Sequence, residues 1–204
     1  MTSKPTSPRY RRYSSETRAA MLIEAGLSCL AKWGIAGFNF DRICAEANVS
    51  RGLLTHHFGS KDAFLAACYS AMYDRFTTGV TSAYGSSPSL VELVEMNFSQ
   101  DVFNPDNLRI WLALWGQIAV NPELQAVHRK RYQDFLKLVA QAVEECAQSR
   151  GVQVNAQTIA VLFVALIDGL WLEQAIDPTM LSREAARLAC YDFLEEFLGP
   201  LAKM

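Results

Sequence analysis

The stretch NVSRGLLTHHFGSKDAF, residues 48–64, carries Arg51, Thr55, His56, His57 and Lys61 within about three helical turns. Two chemistries suit such a cluster. The paired imidazoles could bind a metal or move protons, or the whole stretch could be a short helix that offers polar tips to a nucleic acid. Neighbouring residues on a helix point about 100° apart, so His56 and His57 are poorly placed to share one metal. No nucleophile elbow, phosphate loop or metal-ligand spacing accompanies them. An enzyme built on these histidines and a carboxylate would hold them in a closed pocket, whereas here they are expected on an outward face beside Lys61.

A second constellation lies further along the chain. Trp111 and Trp115 are spaced i, i+4, and Asp168 and Trp171 i, i+3, so each pair shares one helix face. A quaternary ammonium cannot donate a hydrogen bond and is held by aromatic faces and a carboxylate. Brought together, these residues would form an acidic aromatic cage. The competing reading is that the tryptophans fill core and that Asp168 finds a partner across helices or at a subunit seam.

The elements that must position these residues are all helical, with no convincing strand alternation and no internal repeat. Ser14 or Ser15, with Glu16, caps a first helix that Gly34 stops. Asn39 caps a short second helix through Ala47. Asn48 tolerates the left-handed conformation of a tight turn. Ser50 then caps a third helix that runs to Phe58, and Gly59 breaks it. Ser60 and Asp62 open a fourth to about Ala83. After a linker-like AYGSSPS come helices at 88–101 and 106–120. Asn121-Pro122-Glu123 starts a long helix to about Arg150, and two more follow at 155–176 and 182–198. The expectation is about nine helices.

The whole chain sets limits on function. Half of its 204 residues are hydrophobic and a fifth are charged, which describes a globular protein and not a disordered one. No uninterrupted apolar run approaches the roughly 20 residues of a membrane helix, and the basic, polar N-terminus is no secretory signal. A cytoplasmic protein with no membrane partner is expected. The five cysteines are odd in number and scattered, which fits reduced thiols better than disulfides or a zinc site. The net charge of −2 divides into +4 over residues 1–62 and −6 over residues 63–204. The N-terminal third is therefore the part suited to a polyanion.

Two short helices joined by Ala47-Asn48-Val49-Ser50 have the proportions of a helix-turn-helix, with Ile43, Val49 and Leu54 as its small core. The second helix would enter a major groove. There Arg51 could bond guanine bidentately, Thr55 could offer a hydroxyl or methyl, and His56 could reach a base or phosphate. Gly52 removes a side chain where helix and duplex lie close. Lys61 sits at a helix N-terminus, where free amides favour a phosphate. The basic arm Arg9, Tyr10, Arg11 and Arg12 suits phosphates or a minor groove, and equally a disordered tail.

Ile43-Cys44, then Asn48-Val49-Ser50-Arg51-Gly52, then His57-Phe58-Gly59-Ser60-Lys61-Asp62, resembles the DNA-binding signature of TetR-type transcriptional repressors. The resemblance spans residues 15–65 and implies an all-helical homodimer that binds palindromic operator DNA and answers to a small-molecule effector. By it, Asn39 takes the place of a capping, phosphate-touching threonine, Asn48 that of a turn glycine, and Thr55 that of a backbone-gripping tyrosine, which makes Thr55 a base reader instead. Ser50 and His57 join the DNA-binding set with Asn39, Arg51, Gly52, Thr55, His56 and Lys61.

Asn97-Phe98, the run Trp111 to Trp115 and the run Ala165 to Leu172 resemble, within that family, the subgroup that represses choline-to-glycine-betaine genes. This resemblance puts Phe98 with Trp111, Trp115, Asp168 and Trp171 around an effector, either choline or a related quaternary ammonium, or an unrelated small apolar molecule. The expected division is residues 1–62 for DNA and 63–204 for effector and dimerisation. No catalytic residue, metal or cofactor is implied. Wide apolar stripes on the last two helices fit a four-helix seam between subunits; a monomer with a thick core is the other reading. An adaptor that binds only protein would have no use for Arg51, Gly52 and Lys61 in this register.

Overall fold

A computed structural model describes residues 14–85 and 87–201. Among these the chain forms nine helices and no strand: α1 (Ser15–Gly37), α2 (Phe40–Ala47), α3 (Arg51–Phe58), α4 (Lys61–Tyr84), α5 (Leu90–Asn97), α6 (Pro105–Ile118), α7 (Pro122–Arg150), α8 (Ala156–Ile176) and α9 (Arg183–Leu198). The all-α expectation holds. The basic arm, Arg9 to Arg12, lies outside the described residues.

Most helix starts are made by local capping. The side chains of Ser14, Asn39, Asn104, Asn121, Asn155 and Ser182 each accept the N–H three residues on, which satisfies one of the amides that a helix start leaves open. Ser50 is the correction among the expected caps. It stands at the start of α3 but makes no side-chain cap bond, so its hydroxyl is not used within the helix. Gly34 does interrupt α1, at φ 60°, yet the chain resumes helix through Gly37 past the kink. The fifth helix is shorter than the expected 88–101. A reciprocal Ser89–Glu92 box starts it, and residues 98–104 turn back on themselves, with Phe103 N–H bonded to Ser99 O at 2.8 Å.

Contrary to the expectation about apolar runs, α1 and α8 are long and apolar enough by length and composition to cross a membrane. Uninterrupted runs hid this, because Glu24 and Lys32 break α1 and Asp168 breaks α8. Their apolar faces have neighbours in the fold: α1 lies on α2, α4 and α6, and α8 on α6, α7 and α9.

Packing ties the short helices to the long α4. Phe64, fully buried near the start of α4, lies 4.6 Å from the Phe58 ring, 5.4 Å from Phe38 and 6.4 Å from Phe40, centroid to centroid. One side chain thus closes the ends of α1, α2 and α3 onto α4. At Gly26 an added Cβ would fall 2.8 Å from both Phe64 and Cys68, so only glycine lets α1 cross α4 this closely. Further along, α4 packs on α7, and Arg131 of α7 bonds both Asp74 (2.6 Å) and Ser70 (2.7 Å).

Candidate nucleic-acid interface and ligand cavity

The turn between α2 and α3 depends on Asn48, held left-handed at φ 52° and ψ 50°. Val49 N–H then bonds Cys44 O at 3.0 Å, and Ile43 and Leu54 are fully buried beneath. This seating turns Arg51, Gly52, Thr55 and His56 to solvent, with His57 half-buried beside Phe58. Asn39 Oδ1 accepts from Arg42 N–H at 3.0 Å at the start of α2. Thr55 Oγ1 donates back to Arg51 O at 3.2 Å. Lys61 is exposed as the first residue of α4, just after Gly59 turns the chain at φ 72°. The rings of His56 and His57 meet edge to face at 5.7 Å, and no group of three or more metal-ligating side chains occurs among the described residues.

Two features of this surface were not legible locally. Arg51 is already held: its Nη1 lies 3.2 Å from Asp41 Oδ1, and its guanidinium sits 5.7 Å from the Phe40 ring centroid. Asp41 and Phe40, ten or more residues earlier, therefore restrain the side chain expected to read bases. Gly52 has no packing reason to be glycine. A Cβ there would meet only Ser50 Oγ, at 4.0 Å, although glycine in a helix costs about 0.5–1 kcal/mol relative to alanine.

The second constellation gathers around one cavity of about 40 Å³ between α4, α6, α7 and α8, room for about three waters. Trp111, Trp115, Asp168 and Trp171 all line it, and so do Tyr73 and Phe76 of α4 and Tyr132 and Phe135 of α7. The Trp111 ring lies 6.2 Å from both Trp115 and Trp171 and 5.1 Å, edge-on, from Tyr73. Phe76 meets Phe135 edge to face at 5.4 Å. Asp168 has no ion-pair partner among the described residues, and burial pushes its carboxyl up to about 6. Burial also pushes the Tyr73 phenol up to about 12, which keeps a neutral hydroxyl in the wall.

Phe98 is the correction. It is 3% exposed and packs on Phe103 at 5.2 Å, which in turn touches Trp171, so it stands behind the wall and not on it. Because α5 ends at Asn97, Asn97 lines the cavity in its place, its Nδ2 donating to Leu93 O at 2.7 Å. Sequence reasoning missed Asn97, Tyr73, Phe76, Tyr132 and Phe135. Only the aromatic spacing Tyr132 to Phe135 on α7 hinted at them, and that spacing reads equally as core.

The chain matches two family models, "Bacterial regulatory proteins, tetR family" over residues 22–68 and "BetI-type transcriptional repressor, C-terminal" over residues 88–199. It is 30% identical over 190 residues to the helix-turn-helix transcriptional regulator BetI 1 of Chromohalobacter salexigens, covering 89% of this chain and 91% of that one. It is 31% identical to BetI of Burkholderia mallei, covering 91% and 95%. Its fold matches a Pseudomonas aeruginosa PAO1 protein described as a transcriptional regulator, with TM-score 0.80, 32% identity and coverage of 92% and 93%. It also matches a Saccharomonospora viridis protein solved in complex with choline, with TM-score 0.78, 23% identity and coverage of 89% and 97%. The chain belongs to the TetR family of bacterial regulatory proteins, with a BetI-type C-terminal region, and it is a transcriptional regulator and not an enzyme.

Proposed function

We propose that this regulator is a homodimeric repressor whose operator affinity is set by a small quaternary ammonium, choline or a close relative. Residues 1–62 bind DNA, and residues 63–204 dimerise and hold the effector. The observation that carries the effector is the aromatic cavity with one unpaired carboxylate, Asp168. Aromatic faces and a desolvated anion attract a cation that can make no hydrogen bond. The choline in the Saccharomonospora viridis relative supports the same chemistry.

Control follows from α4, which carries Lys61 at the DNA end and Tyr73 and Phe76 in the cavity wall. An effector that prefers one setting of α4 shifts the population of recognition-helix positions by its differential affinity and by no more. The test is binding of the purified protein to its own upstream DNA at two salt concentrations, with and without choline. Specific binding that choline weakens supports the reading; specific binding indifferent to choline discards the effector, and no specific binding discards the operator.

Three substitutions separate the roles on the DNA side. Arg51→Ala is expected to cost about 1–3 kcal/mol on the operator and relax one base preference, while Lys61→Ala weakens all sequences alike and lowers the salt slope by about one. Equal, sequence-independent losses would remove Arg51 from base reading. Gly52→Ala is expected to raise the thermal midpoint slightly, by about 0.5–1 kcal/mol of helix stability, and yet weaken operator binding, because the space it fills belongs to the duplex. Unchanged DNA affinity in a titration by fluorescence anisotropy would refute that assignment.

The seam is proposed through α8 and α9, where Val161, Leu162 and Phe197 are each more than 40% exposed. A monomer would bind one half-site only.

A further inference from the structure

The cage continues into an open cleft that shares Trp115, Tyr132 and Asp168 with it and is lined as well by His128 of α7. We propose that His128 is a second recognition point of the effector site, its Nε2–H donating a hydrogen bond to an oxygen borne on a short carbon arm of the bound quaternary ammonium. The proposal rests on the cage reading above and names which quaternary ammonium compounds the site prefers: those with a hydroxyl or carbonyl oxygen on that arm.

The tautomer follows from a buried contact. His128 Nδ1 lies 2.6 Å from the hydroxyl of Tyr69, a fully buried residue of α4. Burial lowers the His128 pKa and raises that of the Tyr69 phenol, so both partners are neutral at neutral pH and only one proton lies between them. The Tyr69 hydroxyl also bonds that of Tyr73; a neutral imidazole nitrogen is a stronger acceptor than a phenol oxygen, so the protons are taken to run from Tyr73 to Tyr69 and from Tyr69 to Nδ1. The ring proton is then on Nε2, since the bond made by one ring nitrogen sets the state of the other. With Nδ1 occupied inside the fold, Nε2 is the atom His128 has left for the cleft.

The cleft is also built to stay open beside that nitrogen. Gly116 of α6 and Gly169 of α8 line it, and a Cβ on either would meet nothing within 4 Å. Two glycines inside helices weaken those helices with no close packing in return, and both leave space next to the cage mouth. A trimethylammonium group seated among Trp111, Trp115 and Trp171 would point its remaining arm past Asp168 and Tyr132 into this space. A carboxylate on that arm would meet Asp168, like charge against like, and is disfavoured.

The test compares choline with propyltrimethylammonium, which has the same shape with a methyl in place of the hydroxyl. Calorimetry on the full chain is expected to show choline binding about tenfold tighter, the worth of one hydrogen bond in a part-buried site. In His128→Leu the ratio is expected to fall to about one through loss of choline affinity alone, and His128→Gln, which keeps a donor near the Nε2 position, restores part of it. Tyr69→Phe, which removes the tautomer lock, lowers the ratio part-way and carries the test if His128→Leu does not fold. A wild-type ratio near one with both compounds bound, or a ratio unchanged in these variants, overturns the proposal and leaves the cage standing. If neither compound binds the wild type, cage and proposal fall together.

Discussion

Asp168→Asn is expected to make the ligand-free protein more heat-stable at about pH 7.5 and at the same time to weaken choline binding about 30-fold or more. Burial raises the carboxyl from its ordinary 3.8 to about 6. A group whose folded pKa is raised contributes stability that is complete below its unfolded value and lost as pH rises through its folded value. Across the window from 3.8 to about 6 the native state therefore loses about 2–3 kcal/mol, and at neutral pH the cavity holds a carboxylate it would be more stable without. The amide removes that cost. For a chain of this length the midpoint is expected to rise by roughly 4–12 °C, and the gain should vanish near pH 4, where the wild-type carboxyl is already neutral.

Among the described residues of the cavity wall Asp168 is the one that offers a cation a charge, so in this substitution stability and function move in opposite directions. Scanning calorimetry at the two pH values, with choline titrations at the higher one, reads both. A lower midpoint in the variant would mean that Asp168 bonds across the core, and unchanged choline affinity would take it out of the effector site.

Phe64→Ala is expected to abolish operator binding and leave choline binding intact at low temperature. Removing a fully buried phenylalanine costs about 3–5 kcal/mol, and here the void opens where Phe38, Phe40 and Phe58 converge. The ends of α1, α2 and α3 all lose their common contact, so Arg51 and Lys61 are no longer held in one geometry. The cavity draws on α4 only from Tyr73 onward and otherwise on Asn97 of α5 and on α6, α7 and α8, and among the described residues the ring contacts of Phe64 are with Phe38, Phe40 and Phe58. Anisotropy with operator DNA and calorimetry with choline on the same sample separate the two ends. Joint loss of both activities would show that the fold melts as one unit.

What the sequence by itself determined about this protein is what arises within a few residues. Helix starts follow from an Asn or Ser side chain reaching the third amide on, as at Asn39, Asn121 and Ser182, and the tight turn follows from the left-handed tolerance of Asn48. The all-α class and the helix-turn-helix are sums of such local choices, and they were legible. Ser50 shows the limit, since a residue suited to capping need not make the bond.

Tertiary structure alone decided which residues share a space. Aromatic residues at helical spacing look the same whether they fill core or wall a cavity, and only the approach of four helices separates Trp171 at the wall from Phe98 behind it. The hold of Asp41 on Arg51 and of Tyr69 on His128 likewise joins residues that no local period relates. The physical reason is that capping and turn geometry are settled by the backbone within one turn, whereas burial, and with it the raised pKa of Asp168, depends on every element that excludes water from the same place.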